Sequence, residues 1–131
     1  MTPHASLCRC CCSVRTMAGE DGTTLLSKCC VAIELEDPGR RRQAPPQEAY
    51  DTGYCQGVIA GIIYHRNYLS IAPAYRYCLL PDGLFPSQAI RVVHQYFQAH
   101  PDRLHRHHND LVIEALHDAF PCTPAASRLQ K

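Results

Sequence analysis

The sequence Gly53-Tyr-Cys-Gln-Gly-Val-Ile-Ala-Gly-Ile-Ile63 decides the expected fold. Its three glycines, Gly53, Gly57 and Gly61, recur at every fourth residue, so on a helix they form one narrow stripe. Each glycine inside a helix costs about 1 kcal/mol relative to alanine, so the three cost about 3 kcal/mol. The close approach of a second backbone would offset that cost. We therefore predict a central helix whose three glycines serve helix packing.

Three further segments have apolar residues at helical spacing, and none has the alternating pattern of a strand. The sequence thus predicts an all-α fold, a small domain of four helices. They are expected to start near Thr23 or Thr24, to span about 47–64, to follow Pro86 and end before Pro101, and to span about 106–120. Residues 22–122 are predicted to be the domain, 1–21 a disordered or misassigned leader, and 123–131 a flexible tail.

The segment 34–47 interrupts the helical pattern. It contains the turn sequence Asp37-Pro38-Gly39, the run Arg40-Arg41-Arg42 and two consecutive prolines. A solvated loop is the preferred interpretation, and an acidic partner facing the arginines is the alternative.

Overall composition excludes several classes of function. The chain has 131 residues, enough for one domain with one core. Its net charge is +1 and 19% of its residues are charged, which does not favour binding to nucleic acid. The longest apolar run, residues 57–64, is far shorter than the roughly 20 residues of a spanning helix, so no membrane span is expected.

Nine cysteines are many for a chain of this length. Cys29, Cys30, Cys55, Cys78 and Cys122 are spread along the predicted domain, a pattern typical of disulfide-bonded proteins in an oxidising compartment. Before residue 18 we find no apolar run typical of an export signal. Four cysteines lie in this region, Cys8, Cys10, Cys11 and Cys12. Adjacent cysteines chelate metals poorly, so we prefer a disordered tail to a metal or redox cluster there.

Catalytic and metal sites have weak support in the sequence. There is no nucleophile elbow, phosphate-binding loop or nucleotide fingerprint, so we expect neither an enzyme nor a cofactor. The residues closest to a metal-ligand pattern are His105, His107, His108, Asp110 and Glu114. His107 points away from the line of His105 and His108, which favours a solvated helix start over a metal site. His94 and His117 are expected on a helix face and at the surface.

A segment rich in tyrosine and proline separates the second and third predicted helices. Tyrosine supplies contact area at a low cost in conformational entropy, so this composition is typical of binding surfaces. It is equally compatible with a segment that covers a small core. The residues predicted to bind a partner are Tyr64, His65, Arg66, Tyr68, Tyr75 and Arg76.

Five motifs in one order resemble the Rap/Tai immunity family. They are Leu25-Leu-Ser-Lys-Cys29, Tyr54-Cys-Gln-Gly-Val-Ile-Ala-Gly-Ile62, Cys78-Leu-Leu-Pro-Asp-Gly83, His100-Pro-Asp-Arg-Leu-His105 and Ala115-Leu-His-Asp-Ala-Phe-Pro-Cys122. Members of that family are small exported helical proteins that protect bacteria from amidase effectors of type VI secretion. The resemblance implies a periplasmic immunity protein that covers the active site of a cognate peptidoglycan amidase. Because the family often pairs, it also implies a homodimer.

The same resemblance implies that Cys29, Cys55, Cys78 and Cys122 are the structural cysteines, with Cys30 as an extra one. Of the three pairings that four cysteines allow, we favour Cys29–Cys55 and Cys78–Cys122. Two other functions remain open at this point: a periplasmic structural or envelope protein built on the same scaffold, and a metal-binding module built on the histidines.

Overall fold

A computed structural model describes residues 20–66, 72–79 and 81–123. These residues form five α-helices, two 3₁₀ helices and two isolated bridges, with no strand, so the all-α prediction is confirmed. The α-helices are α1 (Gly22–Glu34), α2 (Pro38–Arg42), α3 (Pro46–His65), α4 (Pro86–Ala99) and α5 (His108–Ala119), and the 3₁₀ helices are Pro73–Tyr75 and Pro101–Arg103. The N-terminal cysteines Cys8, Cys10, Cys11 and Cys12 lie outside the described residues, as do residues 1–19 of the predicted leader and 124–131 of the predicted tail. The same holds for Tyr68.

Side chains at the helix starts explain two differences from the predicted boundaries. The carboxylate of Asp21 accepts a hydrogen bond from the backbone N–H of Thr24 at 2.8 Å, so Asp21, rather than a threonine, caps α1. Asp37 likewise accepts from the N–H of Gly39 at 2.7 Å, and Pro38 occupies the first helical position. The expected turn at this place is therefore a short helix, α2.

The centre of the bundle is shared by α1 and the glycine-bearing helix α3, each of which packs against the other and against α4 and α5. α1 packs chiefly against α3 and α4, and α4 packs against α5. In α3, which is described over its whole length, the buried residues are Cys55 and Ile59, whereas α1, α4 and α5 each bury four or more. The largest fully buried side chains are Phe97, Leu25, Ile59, Leu111, Leu116, Val93 and Val112.

The glycine stripe does not serve helix packing in the described part of the chain. No described atom lies within 4 Å of a Cβ built on Gly53, Gly57 or Gly61. The described part of the chain supplies no second backbone at this stripe, so a close approach there stays a prediction. Close packing occurs at Gly22, where an added Cβ would lie 2.5 Å from Cδ1 of Leu111.

Two disulfides join the elements. The sulfur atoms are 2.07 Å apart in Cys29–Cys55, between α1 and α3, and 2.03 Å apart in Cys78–Cys122. These are the two pairings favoured above among the three that four cysteines allow. Among the described residues, no helix combines the length and apolar character needed to cross a membrane.

Candidate functional site

The segment between α3 and α4 was predicted to carry the partner-binding residues. The first of these residues, Tyr64 and His65, are the last two residues of α3. Tyr64 exposes 69% of its surface there. Its ring centroid is 5.3 Å from that of the exposed His65, at an edge-to-face angle of 80°. Nδ1 of His65 donates to the carbonyl oxygen of Gly61 at 2.8 Å. Tyr64 and His65 therefore form one aromatic pair at the surface.

The second end of this segment is attached to α3 and α5. Tyr75 is 49% exposed on the 3₁₀ helix, and the carbonyl oxygen of Arg76 accepts a hydrogen bond from Nδ1 of His117 at 2.6 Å. Tyr77 is buried, and its hydroxyl donates to the carbonyl oxygen of Ile62 at 3.2 Å. The hydrogen bonds of Arg76 to His117 and of Tyr77 to Ile62 thus hold Tyr75 and Arg76 at the surface.

The electrostatics of Tyr77 support this attachment. Burial raises the pKa of the Tyr77 phenol, and the positive charge of Arg66 opposes the rise. The hydroxyl therefore keeps its proton at neutral pH and remains a donor. Arg66 itself is partly buried, and its Nη1 has no hydrogen-bond partner among the described residues.

The structure thus brings the predicted residues together in two groups. Tyr64 lies beside His65 on α3, whereas Tyr75 and Arg76 lie next to α5. Tyr68 lies outside the described residues. That both groups belong to a single partner-binding surface stays a prediction.

Among the histidines around the start of α5, His108 differs from the predicted solvated helix start. His108 is 5% exposed, and its Nδ1 donates to Oδ1 of Asn109 at 2.7 Å, which leaves Nε2 to accept from the hydroxyl of Tyr54 at 3.3 Å. Burial lowers the pKa of His108, and the hydrogen bond to Asn109 opposes part of this effect. His108 is therefore a neutral core histidine, whereas His105 and His107 are exposed.

Charged neighbours of the same histidines are engaged with one another. Nε2 of His107 lies 3.4 Å from the carboxylate of Glu20, and Arg106 donates to the carboxylate of Glu114 at 2.8 Å. In the described part of the chain, no group of three or more metal-ligating side chains comes together. These contacts lie around the start of α5, and the described residues give no support to a metal centre.

A contact between Cys30 and His94 is not predictable from the sequence. The two residues are 64 positions apart, yet Sγ of the buried Cys30 lies 3.1 Å from Nε2 of His94. Burial lowers the pKa of His94, and the charge of Arg91 lowers it further. The neutral imidazole can therefore accept a hydrogen bond from the thiol across the interface of α1 and α4. The signal in the sequence was Cys30, the one cysteine within residues 22–122 beyond the paired four.

Comparison with known proteins identifies the family. The profile of the Rap1a immunity proteins matches residues 21–122, which span all five helices and both disulfides. No curated protein matches the chain. No solved structure matches it. Because the matched region covers most of the chain, the protein belongs to the family of Rap1a immunity proteins.

Proposed function

We propose that this immunity protein binds a cognate peptidoglycan amidase effector of type VI secretion and covers its active site. The observation that carries the proposal is the family match over residues 21–122. Cell-wall peptide stems would then be excluded from the amidase, and the protein would perform no turnover of its own. The two disulfides are compatible with action in the periplasm, where such an amidase would meet its substrate.

The surface proposed for this contact is the one carrying Tyr64 and Tyr75. Both side chains are largely exposed, and aromatic side chains of this kind dominate the energy of many protein interfaces. The elements on either side are fixed by the Cys78–Cys122 disulfide and by the Tyr77 hydrogen bond. Fixed neighbours lower the entropy cost of binding, which suits a surface that blocks another protein.

The proposal predicts that an amidase is encoded beside this gene, and inhibition of that amidase tests it. The purified protein should stop that amidase from cleaving isolated peptidoglycan at stoichiometric concentration. A Tyr64→Ala/Tyr75→Ala double variant should raise the inhibition constant at least about 30-fold, because truncation of even one aromatic hot spot costs about 2 kcal/mol or more. Tyr50→Ala is the matched control, because Tyr50 is 60% exposed on the first half of α3.

Two results would contradict the proposal in different ways. Failure of the wild-type protein to inhibit the amidase would refute the inhibitory function. Full inhibition by the double variant would instead refute the proposed surface and leave the function standing. The homodimer implied by the resemblance belongs to the same proposal, and light scattering of the purified protein tests it.

A further inference from the structure

The outward side of α3 carries mainly small residues around the polar Gln56 and is not covered by the described part of the chain. Gly53 and Gly57 are exposed, and no described atom approaches within 4 Å of an added Cβ at either position. Ala60, on the same side, is also exposed. A helix with apolar residues all around its axis is normally covered all around. This side of α3 is therefore a candidate contact surface.

A groove between α3 and the start of α4 adjoins this side of α3. It consists of a cavity of about 650 Å³ that also borders the end of α1 and α2, and a neighbouring cavity of about 180 Å³ toward the end of α3. Both are lined by Gln56, Pro86 and Ile90, so they form one continuous groove, here called the α3–α4 groove. Gly53 lies in its lining at one end, and Tyr64 lies in its lining at the other.

Two aromatic side chains on this groove are strongly exposed to solvent. Phe85 lines the larger cavity and is 71% exposed, and Tyr64 lines the smaller one and is 69% exposed. Aromatic residues beside a concave apolar surface are typical of protein interfaces. Through Tyr64, the groove is continuous with the surface proposed above for amidase binding.

The charges of the groove indicate the chemistry of its occupant. Arg41 lines the larger cavity, and its Nε donates to the carbonyl oxygen of Leu35 at 2.9 Å without a carboxylate partner in the described structure. The acidic residue in the same lining, Glu36, is bound by Arg91. The neighbouring Arg40 is already paired with two glutamates. Of the charged side chains that line the groove, Arg41 is therefore the one without an oppositely charged partner in the described structure, and its guanidinium complements a carboxylate.

We propose that the α3–α4 groove binds a segment of the amidase that carries an apolar side chain and a carboxylate. The apolar side chain packs between Phe85 and the exposed side of α3, and the carboxylate pairs with the guanidinium of Arg41. The inference rests on the proposed function and adds a second contact region beyond Tyr64 and Tyr75. It makes the outward side of α3 a binding surface and not a packing surface within the domain.

The test measures the affinity of the full chain for the purified neighbouring amidase. Gln56→Trp fills the groove where its two cavities meet, and Arg41→Glu reverses the charge at its larger end. Each should raise the dissociation constant at least about tenfold, the loss expected on removing one well-packed or charge-paired contact. Arg41→Lys retains the positive charge and should stay close to wild type.

A second control places the same bulky side chain in a different groove. Gln95 is exposed on α4 and lines a cavity of about 290 Å³ between α4 and α5, so Gln95→Trp should leave the affinity unchanged. If the Gln56→Trp and Arg41→Glu variants bind the amidase as tightly as the wild-type protein, the groove proposal is overturned and the inhibitory function stands. A change in the monomer–dimer equilibrium of Gln56→Trp without a change in amidase affinity would also overturn it, in favour of a second copy. A wild-type protein that does not bind the amidase would refute both proposals.

Discussion

Replacing Gly57 with alanine should stabilise the protein, although it lies in the middle of a glycine stripe. A helix-interior glycine costs about 1 kcal/mol relative to alanine, and the added methyl group meets no described atom within 4 Å. Gly57→Ala should therefore raise the free energy of unfolding by about 1 kcal/mol. For a domain of this size, that corresponds to an increase of roughly 4 °C in melting temperature.

Gly22→Ala provides the opposite case within the same chain. At Gly22 the added Cβ would lie 2.5 Å from Cδ1 of Leu111 and 3.1 Å from the backbone Cα and carbonyl oxygen of Leu104. Overpacking of a core typically costs about 1–3 kcal/mol, so this variant should be less stable than wild type. The two substitutions add the same methyl group, and only the surroundings differ.

Urea and thermal unfolding followed by circular dichroism, with the disulfides intact, measure both effects. A lower melting temperature for Gly57→Ala would refute the reasoning, because it would mean that a second backbone packs on the stripe in solution. Repeating the measurement at several protein concentrations shows whether that backbone belongs to another copy of the chain, since a dimer makes the melting temperature concentration-dependent.

Two further predictions concern stability. Replacing Cys29 and Cys55 with alanine should cost more than replacing Cys78 and Cys122, as measured by urea unfolding. Loop entropy alone gives about 3.5 kcal/mol for Cys29–Cys55 and about 4 kcal/mol for Cys78–Cys122, with separations of 26 and 44 residues. Because Cys29 and Cys55 are fully buried, their replacement also loses core packing. A clearly larger loss of stability on replacing Cys78 and Cys122 would contradict this prediction. Because burial lowers the pKa of His108 below its usual 6.5, the unfolded state binds the proton more readily, and stability should fall as pH decreases below about 6.5. Unfolding at pH 7.5 and 5.5 measures the decrease, which His108→Gln should reduce; an unchanged slope would show that another group causes it.

The helix boundaries were largely predictable because the apolar spacing changes abruptly at prolines. The expected span 47–64 corresponds to Pro46–His65, and Pro86 begins α4 as predicted. The short helix α2 was not predicted, because Asp37-Pro38-Gly39 is compatible with both a turn and a capped helix start. A local pattern fixes where a helix can end, but it does not distinguish between two local structures with the same capping residue.

The role of the glycine stripe was not predictable, since α3 has apolar residues on every side. Periodicity identifies the core side of a helix only when the opposite side is polar. With Val58, Ile62 and the glycines all apolar, the sequence gives no basis for choosing the side that α1 covers. His108 was misjudged for a related reason, because its partner Tyr54 lies 54 residues away on α3. Neither residue's local sequence indicates that the two side chains meet.

The disulfides and the exposed side of α3 have a common physical basis. A small domain whose described residues leave an apolar groove and three helix-interior glycines uncovered loses part of the burial that normally stabilises a fold. The Cys29–Cys55 bond compensates at that helix, because it fastens the covered side of α3 to the central α1. It stabilises the fold mainly by restricting the unfolded chain and therefore needs no contact on the outward side. A disulfide-bonded scaffold can thus keep an apolar surface available for a partner, whereas a domain held only by its core would have to bury it.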